Sequence, residues 1–111
     1  MTNPGPTALA CDMSALAPDA RAAHGRITRE LSGRVAGVDD LPNGYALRFP
    51  NESDTIVMIG EFISGERLCC PFLNFDLRVG ARDEFVSLSL TGPENVKEFL
   101  QAEFAEALQG S

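Results

Sequence analysis

The sequence predicts an α+β fold in the order α-β-β-α-β-β-α, with one four-stranded antiparallel sheet and the helices on one face. Three observations carry that prediction. Apolar residues recur at helical spacing in three stretches, they alternate with polar residues in others, and turn-forming residues separate the alternating stretches in pairs. Hairpins interrupted by helices favour an antiparallel sheet over a parallel one.

Residues 1–10 are rich in Pro, Gly, Thr and Ala and read as a mobile arm, leaving 11–111 as a single domain. A first helix opens at Pro18, which suits the first helical position, and stops at Gly33. Its apolar stripe runs Ala20, His24, Ile27, Leu31, which turns the only histidine toward the core. Two strands follow, Arg34–Val38 and Tyr45–Phe49, joined by Asp39-Asp-Leu-Pro-Asn-Gly44, whose Pro and Asn-Gly are strong turn formers.

The second helix runs from about Glu52 to Cys70. Ile56, Ile59, Ile63 and Cys70 form its expected buried stripe, and Pro71 ends it because a residue before proline resists helical dihedrals. Gly60 and Gly65, inside this helix, are expected to allow close packing against the sheet. Leu73, Phe75, Leu77 and Val79 then alternate with Asn74, Asp76 and Arg78. Gly80–Asp83 turns the chain into a partner strand in which Val86, Leu88 and Leu90 alternate with Ser87 and Ser89. Leu73, Phe75, Leu77, Val86, Leu88 and Leu90 are expected on the covered face. A third helix starts at Pro93, faces Val96, Phe99, Leu100, Phe104 and Leu108 inward, and ends before Gly110. The strand-Pro-Glu-helix pattern occurs twice, at Tyr45–Phe62 and Ser87–Phe104, as a duplicated ββα unit would show it.

Composition narrows the function classes. A chain of 111 residues, 44% apolar and 23% charged, buries enough surface to fold without disulfides or a metal. No apolar run approaches the roughly 20 residues of a membrane span. The N-terminus lacks the basic and apolar regions of a signal peptide, so a cytoplasmic location is expected. The net charge of −7, from 9 basic and 16 acidic residues with the basic ones scattered, argues against nucleic-acid binding. Three cysteines, an odd number, are expected to be free thiols in a reducing compartment.

The concentrated chemistry lies in Glu66-Arg-Leu-Cys-Cys-Pro71. On a helix Glu66 precedes Cys69 by three residues and Cys70 by four, so the three side chains converge near the helix end. Two thiols and a carboxylate make part of a shell for a thiophilic metal such as zinc, copper or mercury. Cys11, before the first helix, and His24, facing inward from it, are the candidates to complete the shell. Adjacent cysteines lack the C-x-x-C spacing of common zinc sites. The helix phase puts Cys70 in the core and Cys69 at the solvent boundary, so Cys69 is expected to react faster.

Free nucleophilic catalysis is disfavoured, because a helix C-terminus and Glu66 both oppose a thiolate. A bound cation reverses that field, and an enzyme is the less favoured expectation. The leading expectation is therefore a protein that binds a metal ion or small molecule through these cysteines. The alternatives are a thiol redox or thiol-transfer protein in which Cys69 reacts, and an interaction module whose polar sheet face meets a partner or a second copy. On that face lie Asn74, Asp76, Arg78, Ser87 and Ser89.

Four segments also carry a resemblance: Cys11-Asp-Met-Ser-Ala-Leu, Leu41-Pro-Asn-Gly-Tyr-Ala-Leu-Arg-Phe-Pro50, Glu66-Arg-Leu-Cys-Cys-Pro-Phe72 and Leu90-Thr-Gly-Pro-Glu-Asn-Val-Lys97. Together, over roughly residues 11–100, they resemble a family of small bacterial proteins of uncharacterised function. The Glu-Arg-x-Cys-Cys-Pro-Phe segment is the most specific part. The resemblance implies a bacterial cytosolic protein and carries no activity with it.

Overall fold

A computed structural model describes residues 9–109. Most of the expected arm, 1–10, and Gly110 lie outside the described residues; Leu9 packs half-buried against the core. A 3₁₀ turn, Met13–Ala15, precedes helix α1 (Pro18–Ser32). Asp12 caps the turn, its carboxylate accepting from the Ser14 amide at 3.1 Å. Strands β1 (Gly37–Leu41) and β2 (Gly44–Pro50) form the first hairpin, and helix α2 (Ser53–Cys69) follows. Strands β3 (Asn74–Arg78) and β4 (Phe85–Thr91) form the second, before helices α3 (Val96–Glu103) and α4 (Ala105–Gln109). The fold is the predicted α+β arrangement with a four-stranded antiparallel sheet.

The strand order is β1-β2-β4-β3, so the two hairpins join through their inner strands. In that central pairing Leu47 faces Leu88 and Phe49 faces Val86. These residues, with Leu90, are buried and form the apolar layer beneath the helices. Each is worth about 1.5–3 kcal/mol when removed from water. Leu31 of α1, Ile59 and Phe62 of α2 and Phe99 and Leu100 of α3 cover them. Phe62 stands edge-on to both Phe75 and Phe104, at 6.5 and 5.9 Å between ring centroids.

Several local expectations need correction. The first strand begins at Gly37, three residues later than expected, because Arg34 is used elsewhere. Its guanidinium donates to Thr55 Oγ1 at 2.8 Å and pairs with Asp54 and Glu30, tying the α1 exit to the start of α2. Leu73 is buried and Phe75 half-buried as expected, but Leu77 and Val79 are exposed, since β3 is an edge strand. Helix α3 begins at Val96, not Pro93: Asn95 takes the left-handed conformation, φ 75°, which Asn tolerates, and redirects the chain first. The final helix is also broken, at Phe104, which leaves helical geometry and packs its ring on Phe62. No helix among the described residues is long and apolar enough to cross a membrane.

Candidate functional site

The buried stripe of α2 is Thr55, Ile59, Phe62, Glu66, Cys69, one helical phase away from the isoleucine stripe expected from hydropathy. Two polar residues sit in it because each has a buried partner. Thr55 is answered by Arg34, and Glu66 by His24, whose Nε2 lies 2.7 Å from Glu66 Oε1. His24 and Glu66 are 6% and 3% exposed, and Glu66 is the only buried carboxylate among the described residues. A lone carboxylate in that position costs several kcal/mol, so the surroundings must answer it.

The shift in phase also corrects the two cysteines. Cys69 lies on the buried stripe rather than at the solvent boundary, and both Cys69 and Cys70 are fully buried. Cys70 has left the helix, with φ −128° and ψ 70°, so helical phase no longer sets its direction. It points to Cys11, with which it forms a disulfide. The expectation of three free thiols is therefore corrected: Cys69 alone is free. Burial pushes the Cys69 thiol up from its ordinary range, and the Glu66 and Asp12 carboxylates add to the shift. The expected fast reaction at Cys69 does not fit this environment, because a thiolate there is both desolvated and repelled.

Three segments meet here. The chain before the 3₁₀ turn brings Cys11, α1 brings His24, and the end of α2 brings Glu66, Cys69 and Cys70. The Asp12 amide donates to the Cys69 carbonyl at 2.8 Å, which pins the first segment to the helix end. Gly65 lets α1 approach α2: a Cβ there would stand 2.6 Å from His24 Nδ1. The close approach expected of Gly65 is real, but its neighbour is the histidine and not the sheet. A Cβ at Gly60 meets nothing within 4 Å, so close packing does not explain that glycine. The His24 ring stacks on Phe62, 5.6 Å between centroids and 14° between planes.

All five candidate residues thus converge, in two overlapping triads. Cys11, Glu66 and Cys70 form one; His24, Glu66 and Cys69 form the other, and the ligand-type atoms of each lie within 4.8 Å of one another. Bonds of about 2.0–2.3 Å to a shared ion put ligand atoms roughly 3–4.6 Å apart. The His24, Glu66 and Cys69 triad is close to those dimensions, whereas Cys11 and Cys70, joined in the disulfide, come within them only when reduced. Glu66 Oε2 lies 3.2 Å from Cys70 Sγ and 3.8 Å from Cys11 Sγ, but disulfide sulfurs carry no hydrogen to donate. His24 Nδ1 is buried without a partner among the described residues. Glu66 Oε2 and His24 Nδ1 are accordingly two polar atoms of one buried cluster without a hydrogen-bond partner among the described residues.

Solvent reaches the cluster through a cleft of about 240 Å³ lined by Cys11, Met13, His24, Glu66, Glu103 and Phe104, among others. Met13, at 37% exposure, adds a thioether to the lining that the motif did not reveal. Phe62 and Gly65, which orient His24, were legible only as a core aromatic and a helical glycine. Comparison of the chain with protein-family models, curated proteins and solved structures finds no match.

Proposed function

We propose that the reduced protein binds one thiophilic metal ion in the cluster around Glu66, using the sulfurs of Cys11 and Cys70, the Glu66 carboxylate, and Cys69 or His24. The observation that supports this most is the buried Glu66 carboxylate with three cysteine sulfurs and an imidazole gathered on it. A donor set dominated by sulfur and nitrogen suits zinc, copper(I) or mercury(II) and disfavours magnesium and calcium, which require oxygen ligands. The cation neutralises the carboxylate, deprotonates the thiols and supplies the positive charge that the helix end lacks. The Cys11 side of the cleft serves as its way in, and a bacterial, reducing cytoplasm is the setting that keeps the thiols available.

The Cys11–Cys70 disulfide favours a second reading, a dithiol oxidoreductase. Such a protein releases a thiolate each time its disulfide is opened. With Glu66 Oε2 3.2 Å from Cys70 Sγ, that leaving group is repelled by the nearest charge. The metal reading turns the same charge into a ligand, and for that reason it is preferred.

The test is a melting curve of the reduced chain with Zn(II), Cu(I) or Hg(II) under non-competing conditions. A stoichiometric ion at about 100 times its dissociation constant adds roughly 2.7 kcal/mol when it binds only the folded state. Cys70→Ser is expected to lose this gain. Affinity should rise with pH through the neutral range, because protons compete for the sulfurs. If none of the three ions moves the melt of the wild-type chain, the reading is wrong.

A further inference from the structure

The disulfide sits inside the set of residues offered to the ion, and it fastens a specific piece of chain. Cys11 belongs to the segment that precedes the 3₁₀ turn, and Cys70 caps α2. The neighbouring tie is a single backbone hydrogen bond, from the Asp12 amide to the Cys69 carbonyl. Leu16, further along, is buried on its own account at 6% exposure. Leu9, on the other side, is half-buried against the core, so between Leu9 and Leu16 the segment is held on the helix end by that hydrogen bond and by what joins the two sulfurs.

From this arrangement we propose that the Cys11–Cys70 disulfide and a metal ion are alternative closures of one joint: oxidation excludes the ion, and either closure holds the N-terminal segment on α2. This rests on the metal reading above. Two sulfurs joined by a covalent bond have no thiolate to offer, so the oxidised chain keeps only the His24, Glu66 and Cys69 triad. Reduction without metal opens the joint, and metal closes it again.

The chemistry balances with a small-molecule disulfide as oxidant. Cys11 Sγ, on the half-buried residue that lines the cleft, attacks one sulfur of the oxidant and expels its first thiolate. Cys70 Sγ then attacks Cys11 Sγ, forming the protein disulfide and expelling the second. The two cysteine thiolates have lost two electrons, the oxidant has gained them, and its two thiolates take protons from solvent. The ion departs with its charge unchanged.

The full chain is prepared in three states: oxidised with glutathione disulfide, reduced without metal, and reduced with Zn(II). Each preparation is followed by Zn(II) binding and by hydrogen exchange at the Asp12 amide. Reduced protein is expected to bind one Zn(II), and oxidised protein to bind it more than roughly 100-fold less tightly, since losing even one supporting group costs 10–100-fold. Asp12 should exchange slowly in the oxidised and zinc-loaded states and at least about tenfold faster in the reduced, metal-free state. Cys69→Ser should preserve the oxidant sensitivity, whereas Cys11→Ser should exchange quickly at Asp12 whether or not oxidant is present. Equal Zn(II) affinity in both redox states overturns the exclusion, and an Asp12 amide equally protected in all three states overturns the joint. If the reduced chain binds no Zn(II) while Asp12 still loosens on reduction, the disulfide closure stands but the alternative-closure proposal falls. The melts with Cu(I) and Hg(II) then decide separately whether the underlying metal reading falls too.

Discussion

Glu66 lies where an apolar side chain would be expected, and replacing it separates a ligand from a packing residue. Glu66→Gln keeps the shape and a group for His24 to bond, but it removes the charge. A buried carboxylate is costly even when paired, so the metal-free variant should be as stable as the wild type, within about 1 kcal/mol, or more stable. Its affinity for a thiophilic ion should fall by at least about tenfold, read from calorimetric titration of the reduced chain. A variant that loses stability and keeps its affinity assigns Glu66 to packing. The thiols give a second residue-scale outcome. Oxidised, folded protein should titrate one thiol, Cys69, and alkylate it slowly, because burial and the Glu66 carboxylate hold it protonated. Denaturation should release fast labelling at that one site, and reduction should raise the titre to three. Rapid labelling of Cys69 in the folded state would contradict its burial.

Between elements, the decisive contact is the approach of α1 to α2 at Gly65. Gly65→Ala inserts a methyl group 2.6 Å from His24 Nδ1, so the ring or the helix must move. Overpacking of this kind costs about 1–3 kcal/mol in a well-filled core. Gly60→Ala is the matched control on the same helix. Its Cβ meets open space, and the helical preference of alanine over glycine should leave stability unchanged or raise it by up to about 1 kcal/mol. Urea unfolding of the two variants checks the pair, and equal effects would show that helix propensity, not the histidine, governs both.

At the scale of the whole molecule, the disulfide closes a loop across a sequence separation of 59 and joins the N-terminal segment to the middle of the chain. Loop-closure entropy then predicts that reduction destabilises the metal-free protein by about 4 kcal/mol, as measured from paired denaturant curves. An acid limb of stability comes from the surface. Asp54 accepts from Arg34 and is held below the ordinary aspartate range by that hydrogen bond. A depressed folded value means that its contribution is present above the ordinary aspartate pKa, near pH 4, and is lost as pH falls through the folded value. Asp54→Asn should flatten that part of the stability profile by lowering the neutral plateau by the same small amount, with stability below the folded value unchanged. An unchanged acid limb in Asp54→Asn would remove this pair from the account.

The sequence by itself determined the element order, the hairpins and the identity of the four side chains that meet around Glu66. Alternation, turn residues and proline placement are local, and the spacing of Glu66, Cys69 and Cys70 is local too. Only the tertiary structure decided which face of α2 is buried. Hydropathy ranks Ile56 and Ile63 above Thr55 and Glu66, and it cannot register that Arg34 and His24 arrive from elsewhere to answer the two polar groups. The pairing of Cys11 with Cys70 was illegible for the same reason. Those residues are 59 apart in sequence, and their meeting depends on Cys70 leaving the helix and on Gly65 admitting His24 beside Glu66. Local pattern is written along the chain, whereas a buried charge is placed by partners that only folding brings within reach.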